Sequence, residues 1–169
     1  MLPELETLPH LLVDVKEAFE PTAAAIAAEI QHDDYHIVTG AGPVWTEAWY
    51  YGTCILEEMQ WIRTRPIHAS DFFHGTLELV EPGVSVLLFK GEDASRPLAE
   101  RVERWCRRSP IGSPSSTPPA SRCPVCPRTC GRSSPHVLIA TVLERVSAHL
   151  EVLRDHPLTT RRYYRRIEY

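Results

Sequence analysis

The chain contains no apolar run close to the roughly 20 residues that a helical membrane span requires, so no membrane insertion is expected. Its first residues, Met1-Leu-Pro-Glu-Leu-Glu6, are acidic and lack the basic start and apolar block of a signal peptide. Neither sign of charge dominates. A net charge of −4 and a pI near 6.1 give no global attraction to nucleic acid or to an anionic membrane. Cysteine is present five times, an odd number without a secretory context, which argues against a disulfide framework and for a reducing cytoplasm. There is no internal repeat. With 169 residues the chain has room for one domain with a real core, and not comfortably for two.

What is present alternates between helical and strand periods. Leu8, Leu11, Leu12, Val15 and Phe19 line one face of a helix that Pro21 is expected to interrupt, with Thr22 capping a second helix to Ile30. Residues 35–39 read as a short buried strand. Gly40-Ala-Gly-Pro43 follows, with Pro43 suited to a first helical position. Trp45, Ala48, Gly52, Ile55, Leu56 and Met59 then form the stripe of a helix predicted to end near Arg63, since Pro66 biases Arg65 toward an extended backbone. A very short strand is expected at 67–69, and a single helical turn capped by Ser70 and Asp71 and closed by Gly75. Pro82-Gly83 turns into 84–89, the clearest buried strand. Ser95 and Pro97 start a helix bearing Leu98, Val102 and Trp105, and Ile139, Val142, Leu143, Val146, Leu150 and Leu153 mark another. Strands alternating with helices predict an α/β layer with a mostly parallel sheet.

Between Ser109 and Pro135 the composition changes. Seven of the fifteen prolines and three of the five cysteines lie there, and no acidic residue occurs between Glu103 and Glu144. The stretch has the composition of a linker, yet it stands where a sheet needs its next strand. Three readings are open. Cys123, Cys126, Cys130 and His136 have the thiolate and imidazole chemistry of a zinc site, though the second half of such a motif is cramped. A flexible linker is the second. The third is a frameshift. With one choice of codons, residues 109–117 reread two bases later give Ala-Tyr-Trp-Val-Ala-Val-Val-Asp, a buried strand, and 122–127 give Leu-Pro-Gly-Val-Pro, a loop. The frameshift is preferred, with no metal expected elsewhere.

The runs Gly40-Ala-Gly-Pro-Val-Trp-Thr-Glu-Ala48, Leu56-Glu-Glu-Met-Gln-Trp-Ile62, Pro66-Ile-His-Ala69 and Asp71-Phe-Phe-His-Gly75 resemble the second SIS (sugar isomerase) domain of double-SIS proteins. The likeness is to the isomerase half of glucosamine-6-phosphate synthase and, more closely, to the fructoselysine 6-phosphate deglycases. Gly91-Glu-Asp93, Arg96-Pro-Leu98, Asp155-His-Pro-Leu158 and Thr160-Arg-Arg-Tyr163 look like the deglycase branch. The resemblance covers about residues 30–108 and 135–169. It implies a three-layer αβα sandwich on a mostly parallel sheet of about five strands, with one strand disrupted in 109–134. It also implies a site assembled from two SIS halves and a neighbouring subunit, no cofactor, and a phosphorylated sugar or fructosamine as substrate.

On this resemblance Glu58 matches the family's catalytic glutamate. Moving a proton between C1 and C2 of a ketosamine needs a carboxylate that accepts and returns it. A helix end and the neighbouring Glu57 both surround it with negative charge. The bland alternative is a solvated glutamate on a helix face. His74 matches the histidine that assists ring opening, and an imidazole suits that exchange near neutrality; otherwise it ends a helical turn. In the synthase relatives this histidine reaches across a dimer, so a homodimer is implied. Gly40, Ala41 and Gly42 form a strand-to-helix loop whose N–H groups are candidates for a sugar hydroxyl or phosphate, although a tight turn alone needs glycine. Arg161 and Arg162 stand where family tails fold back over the site. A basic, aromatic tail is also a nucleic-acid feature, which the acidic balance of the chain argues against.

The Ser/Thr-rich loop with which double-SIS enzymes hold the phosphate, in their first domain, has no counterpart here. The first half is therefore expected to be missing, and a separate N-terminal SIS half or a second copy is the expected partner. The two functional readings are a deglycase-like enzyme and a non-catalytic sugar-phosphate-binding module or relic, with aldose–ketose isomerisation or aminotransferase chemistry open for the ancestor.

Overall fold

The structure, a computed structural model, describes residues 2–33, 35–108 and 135–168. Three parallel strands, β1 (Tyr35–Gly40), β2 (Arg63–His68) and β3 (Val84–Phe89), lie in the order β2-β1-β3. Tyr35 pairs with Arg63 and Val84 at the amino ends, and Gly40 with His68 and Phe89 at the carboxyl ends. The zinc, linker and frameshift readings of 109–134, and the further strand expected there, lie outside the described residues. Among the described residues the sheet has three strands rather than five.

β1 is central, with Ile37 and Val38 fully buried, as a strand covered on both faces should be. β2 carries two arginines and a proline and, among the described residues, is bounded by β1 on one side only. The sequence predicts a strand of three residues there. The structure has six, because an edge strand tolerates charge and proline that a central one would not.

α1 (Leu2–Ile30) is one continuous helix through Pro21, not the two helices predicted. Proline inside a helix costs about 3 kcal/mol by removing an N–H and crowding the preceding turn. Here Pro21 and Glu17, whose carbonyl loses its donor, are both exposed. The opposite face of α1, with Val15, Phe19, Ala23, Ile26, Ala27 and Ile30, is buried against α5 (Pro135–Leu153). Packing along that face outweighs the local break. Ion pairs from Lys16 to Glu144 (2.8 Å) and from Glu20 to Arg145 (2.6 Å) flank the contact.

The apolar side chains divide into two layers around the sheet. α1, α5 and the helix after β1 meet Val38, Leu87 and Phe89 on one face. α4 (Arg96–Arg108) and the turns after β2 meet Ile37, Val84 and Leu88 on the other, through Phe72, Ala99 and Val102. The fold is the αβα sandwich expected. Cys54 and Cys106 are free thiols, and burial pushes the Cys106 thiol up to about 11. No helix of the described residues is long and apolar enough to cross a membrane, and no group of three or more His, Cys, Asp or Glu side chains among them could hold a metal ion.

Candidate functional site

The helical segment after β1 changes pitch three times. A 3-10 turn at Gly42–Val44 leads into α2 (Trp45–Tyr50), then a π-helical stretch at Tyr51–Glu57, then a last α-helical turn, α3 (Glu58–Gln60). π-helical turns are rare and concentrate at functional sites. The widening alters which side chains face inward. A regular helix carries the predicted stripe through Ile55 to Met59, whereas here Leu56 and Gln60 are fully buried and Met59 only half-buried. Gly52 allows the close approach this requires: a Cβ there would sit 2.9 Å from Pro66 Cγ.

The segment ends at Trp61, two residues earlier than the end predicted near Arg63, in a left-handed conformation (φ 56°). For a bulky residue that conformation costs about 1–2 kcal/mol. Contacts to the C-terminal segment compensate. The Arg162 guanidinium lies 3.9 Å from the indole centroid, and His156 packs edge-on to the same ring at 4.6 Å. Gln60 Nε2 donates to His156 O (2.8 Å), and Arg154 donates to Gln31 O (2.6 Å) and Gln60 O (3.4 Å). Residues 154–162 are thereby folded back onto the helix end.

Glu58 faces a cleft of about 810 Å³ at the amino ends of the strands. The walls include Asp33, Tyr35, Trp61, Arg63 and Thr64, together with Arg161, Arg162, Tyr163 and Tyr164 of the C-terminal segment. Arg161 Nε donates to Glu58 Oε1 at 3.0 Å, while its Nη1 donates to Leu158 O (2.7 Å) and Thr160 O (2.8 Å). The sequence surrounds Glu58 with negative charge only; the structure supplies this cation and turns Glu57 elsewhere. Glu57 Oε1 accepts from the Thr64 hydroxyl (2.7 Å) and N–H (3.2 Å), joining the helix end to the start of β2.

The other candidates do not meet Glu58 within one chain. Gly40, Ala41 and Gly42 follow the carboxyl end of β1, about 16 Å along the strand from the cleft. Packing accounts for both glycines. A Cβ on Gly40 would lie 3.2 Å from Phe89 O, and one on Gly42 (φ +62°) would collide with Ser95 Oγ and stand 2.7 Å from Asp93 Oδ1. Asp93 accepts from the N–H (2.8 Å) and hydroxyl of Ser95, so a carboxylate already stands beside this loop. His74 is exposed in the turn after β2, beside Phe72 and Phe73, which pack in the layer of α4. Leu56 and Ile62, on either side of Glu58, belong to the opposite layer. The sheet thus separates the carboxylate from the imidazole. His68 bonds Ser70 Oγ through Nδ1 (2.6 Å).

Of the sequence candidates, Glu58, Arg161 and Arg162 share the cleft. Sequence reasoning missed Asp33, Trp61 and Arg63 in the cleft, and Gln60 beneath it as an anchor of the C-terminal segment. The left-handed turn sets Trp61 and Arg63, the π-helical register buries Gln60, and no glycine or period marks either.

No protein-family profile matches the chain. It is 32% identical over 157 residues to the fructosamine deglycase FrlB of Bacillus subtilis, covering 91% of this chain and 46% of that protein. It is 29% identical over 105 residues to the fructoselysine 6-phosphate deglycase of Escherichia coli, covering 62% of this chain and 31% of that one. Among crystal structures, a phosphosugar isomerase of Bacillus subtilis superposes with a TM-score of 0.84 at 25% identity, covering 98% of this chain and 50% of the other. The C-terminal domain of a Francisella tularensis glucosamine-fructose-6-phosphate aminotransferase shares the fold alone (TM-score 0.62, 14% identity). The relatives of this chain are thus the fructosamine and fructoselysine 6-phosphate deglycases, and its fold is of the SIS type, as its sequence motifs predict. The chain spans less than half the length of the curated relatives it matches.

Proposed function

We propose that this chain is a sugar-phosphate-handling SIS half in which Glu58 moves a proton on an open-chain 6-phosphofructosamine. In the reaction Glu58 takes a proton from C1, leaving an enaminol, and returns it to C2, leaving an imine at C1. Water adds to the imine, and glucose 6-phosphate and the free amine separate. A positioned carboxylate contributes about 10²–10⁴-fold to such a step. The observation that carries the reading is a glutamate exposed to a large cleft, with the Arg161 guanidinium 3.0 Å away and Arg162 beside it as cations for the substrate's anionic groups.

His74 completes this chemistry from a second copy, since the sheet keeps it from Glu58 of its own chain. The phosphate-holding part comes from a separate half, and the cytoplasm is the compartment expected for such a substrate. The non-catalytic reading is favoured by one observation: Gly40, Ala41 and Gly42 are packed against Asp93 and Ser95 and do not reach the cleft. The test is amine release from fructoselysine 6-phosphate by the chain, alone and with a candidate N-terminal half. Turnover that Glu58→Gln abolishes supports the enzyme, and binding of the sugar phosphate without turnover supports the module.

A further inference from the structure

The charges lining the cleft are unevenly committed. Each of its three carboxylates is engaged: Asp33 accepts from Ser85 Oγ (2.8 Å), Glu57 from Thr64, and Glu58 from Arg161. Of the four arginines, Arg154 donates to two backbone carbonyls, and Arg161 is held through Nε and Nη1. Arg162 lies with its face on Trp61, which leaves its N–H edges open. Arg63 is exposed, and its side chain makes no hydrogen bond, ion pair or ring contact among the described residues. The unspent donors are therefore cationic and fork-shaped, which suits a planar or tetrahedral oxyanion.

The position of Arg63 bears on which group it meets. It opens β2 immediately before Thr64, whose N–H and hydroxyl hold Glu57, the neighbour of Glu58. The left-handed Trp61 turns the chain between them, so Glu58 and Arg63 flank one tight corner. A substituent leaving C1 of a substrate whose C1 faces Glu58 would emerge near that corner.

We propose that Arg63, with the open edge of Arg162, is a recognition site for an oxyanion of the substrate: its phosphate, or the carboxylate of an amino acid carried as the amine. As a subsite of the reaction this rests on the proposed function, whereas the binding itself does not. Being exposed, the site is screened, and its affinity falls as salt rises.

The full chain and Arg63→Gln are titrated calorimetrically at low salt with inorganic phosphate, glucose 6-phosphate and fructosylglycine, which carries a carboxylate and no phosphate. The expected result is binding of at least one probe, weakened about tenfold or more in Arg63→Gln, as loss of charged hydrogen bonds implies, and partly restored in Arg63→Lys. Weakening of both phosphate probes assigns the sugar phosphate, and weakening of fructosylglycine assigns the amine's carboxylate. Circular dichroism and melting of Arg63→Gln matching the parent exclude a folding effect. The proposal is overturned if the parent chain binds none of the probes, or if Arg63→Gln binds them all as the parent does. Amine release is measured separately. Its absence beside Arg63-dependent binding would sink the catalytic reading and leave the oxyanion site standing.

Discussion

The two ends of one short sheet are built on opposite terms. At the carboxyl ends of the strands, where open α/β sheets usually bind ligands, the chain has filled its own crevice. Gly42 lies against Ser95 and Asp93, so a carboxylate stands beside the loop that follows β1. At the amino ends the opposite holds: a cleft of about 810 Å³ lies open, with Glu58 and four arginines on its walls. In the proposed reading, the open end is where Glu58 would meet substrate, and the packed end serves stability.

That contrast predicts which substitutions affect chemistry and which affect stability. The largest effect is expected at the open end: Glu58→Gln should lower amine release by at least about 100-fold, with an unchanged melting temperature. Next is the filled end. Gly42→Val combines a positive φ with a collision at Ser95 and should cost about 2–3 kcal/mol, read by chemical denaturation. If Gly42→Val instead left stability intact and weakened sugar-phosphate binding, the crevice would be a ligand site and the contrast would fail. Gln60→Ala removes the donor that holds His156 O and should cost about 1–3 kcal/mol. It should also speed tryptic cleavage after Arg161 and Arg162, because the tail loses its anchor.

The smallest effect lies away from both ends. The hydrogen bond from Arg145, with help from His149, holds the Glu20 carboxyl well below the usual carboxylate range, at about 2. A carboxyl depressed on folding stabilises above its unfolded pKa near 4.5, and the contribution is lost as pH falls toward about 2. The pair is open to solvent, so Glu20→Gln should lower the melting temperature only slightly at pH 7. The difference from the parent should vanish near pH 2.

The regular parts of this architecture are legible in the sequence. β1 and β3 are apolar runs bounded by glycine or proline, and α4 and α5 keep a helical period because one face of each is buried. Local rules fail where tertiary contacts override them. Pro21 reads as a break, and the buried face of α1 holds the helix through it. Met59 reads as core, and the π-helical turn buries Gln60 in its place. The predicted helix end near Arg63 overshoots, because Trp61 takes a conformation that sequence rules reserve for glycine. Glu58 is legible only through its surrounding motif, since an exposed glutamate carries no signal of its own. Arg63 escaped because its significance lies in what neighbouring charges already bond.

Mixing two inactive variants tests the central claim most directly. Glu58→Gln and His74→Ala chains are each assayed alone, then unfolded together and refolded as an equimolar mixture. If the carboxylate and imidazole of one site come from different copies, each variant alone is inactive and the mixture regains about a quarter of the parent's amine release, from one intact site in half of the randomly paired two-fold dimers. A mixture as inactive as its components, or a parent chain that releases no amine even beside a candidate N-terminal half, would contradict the account.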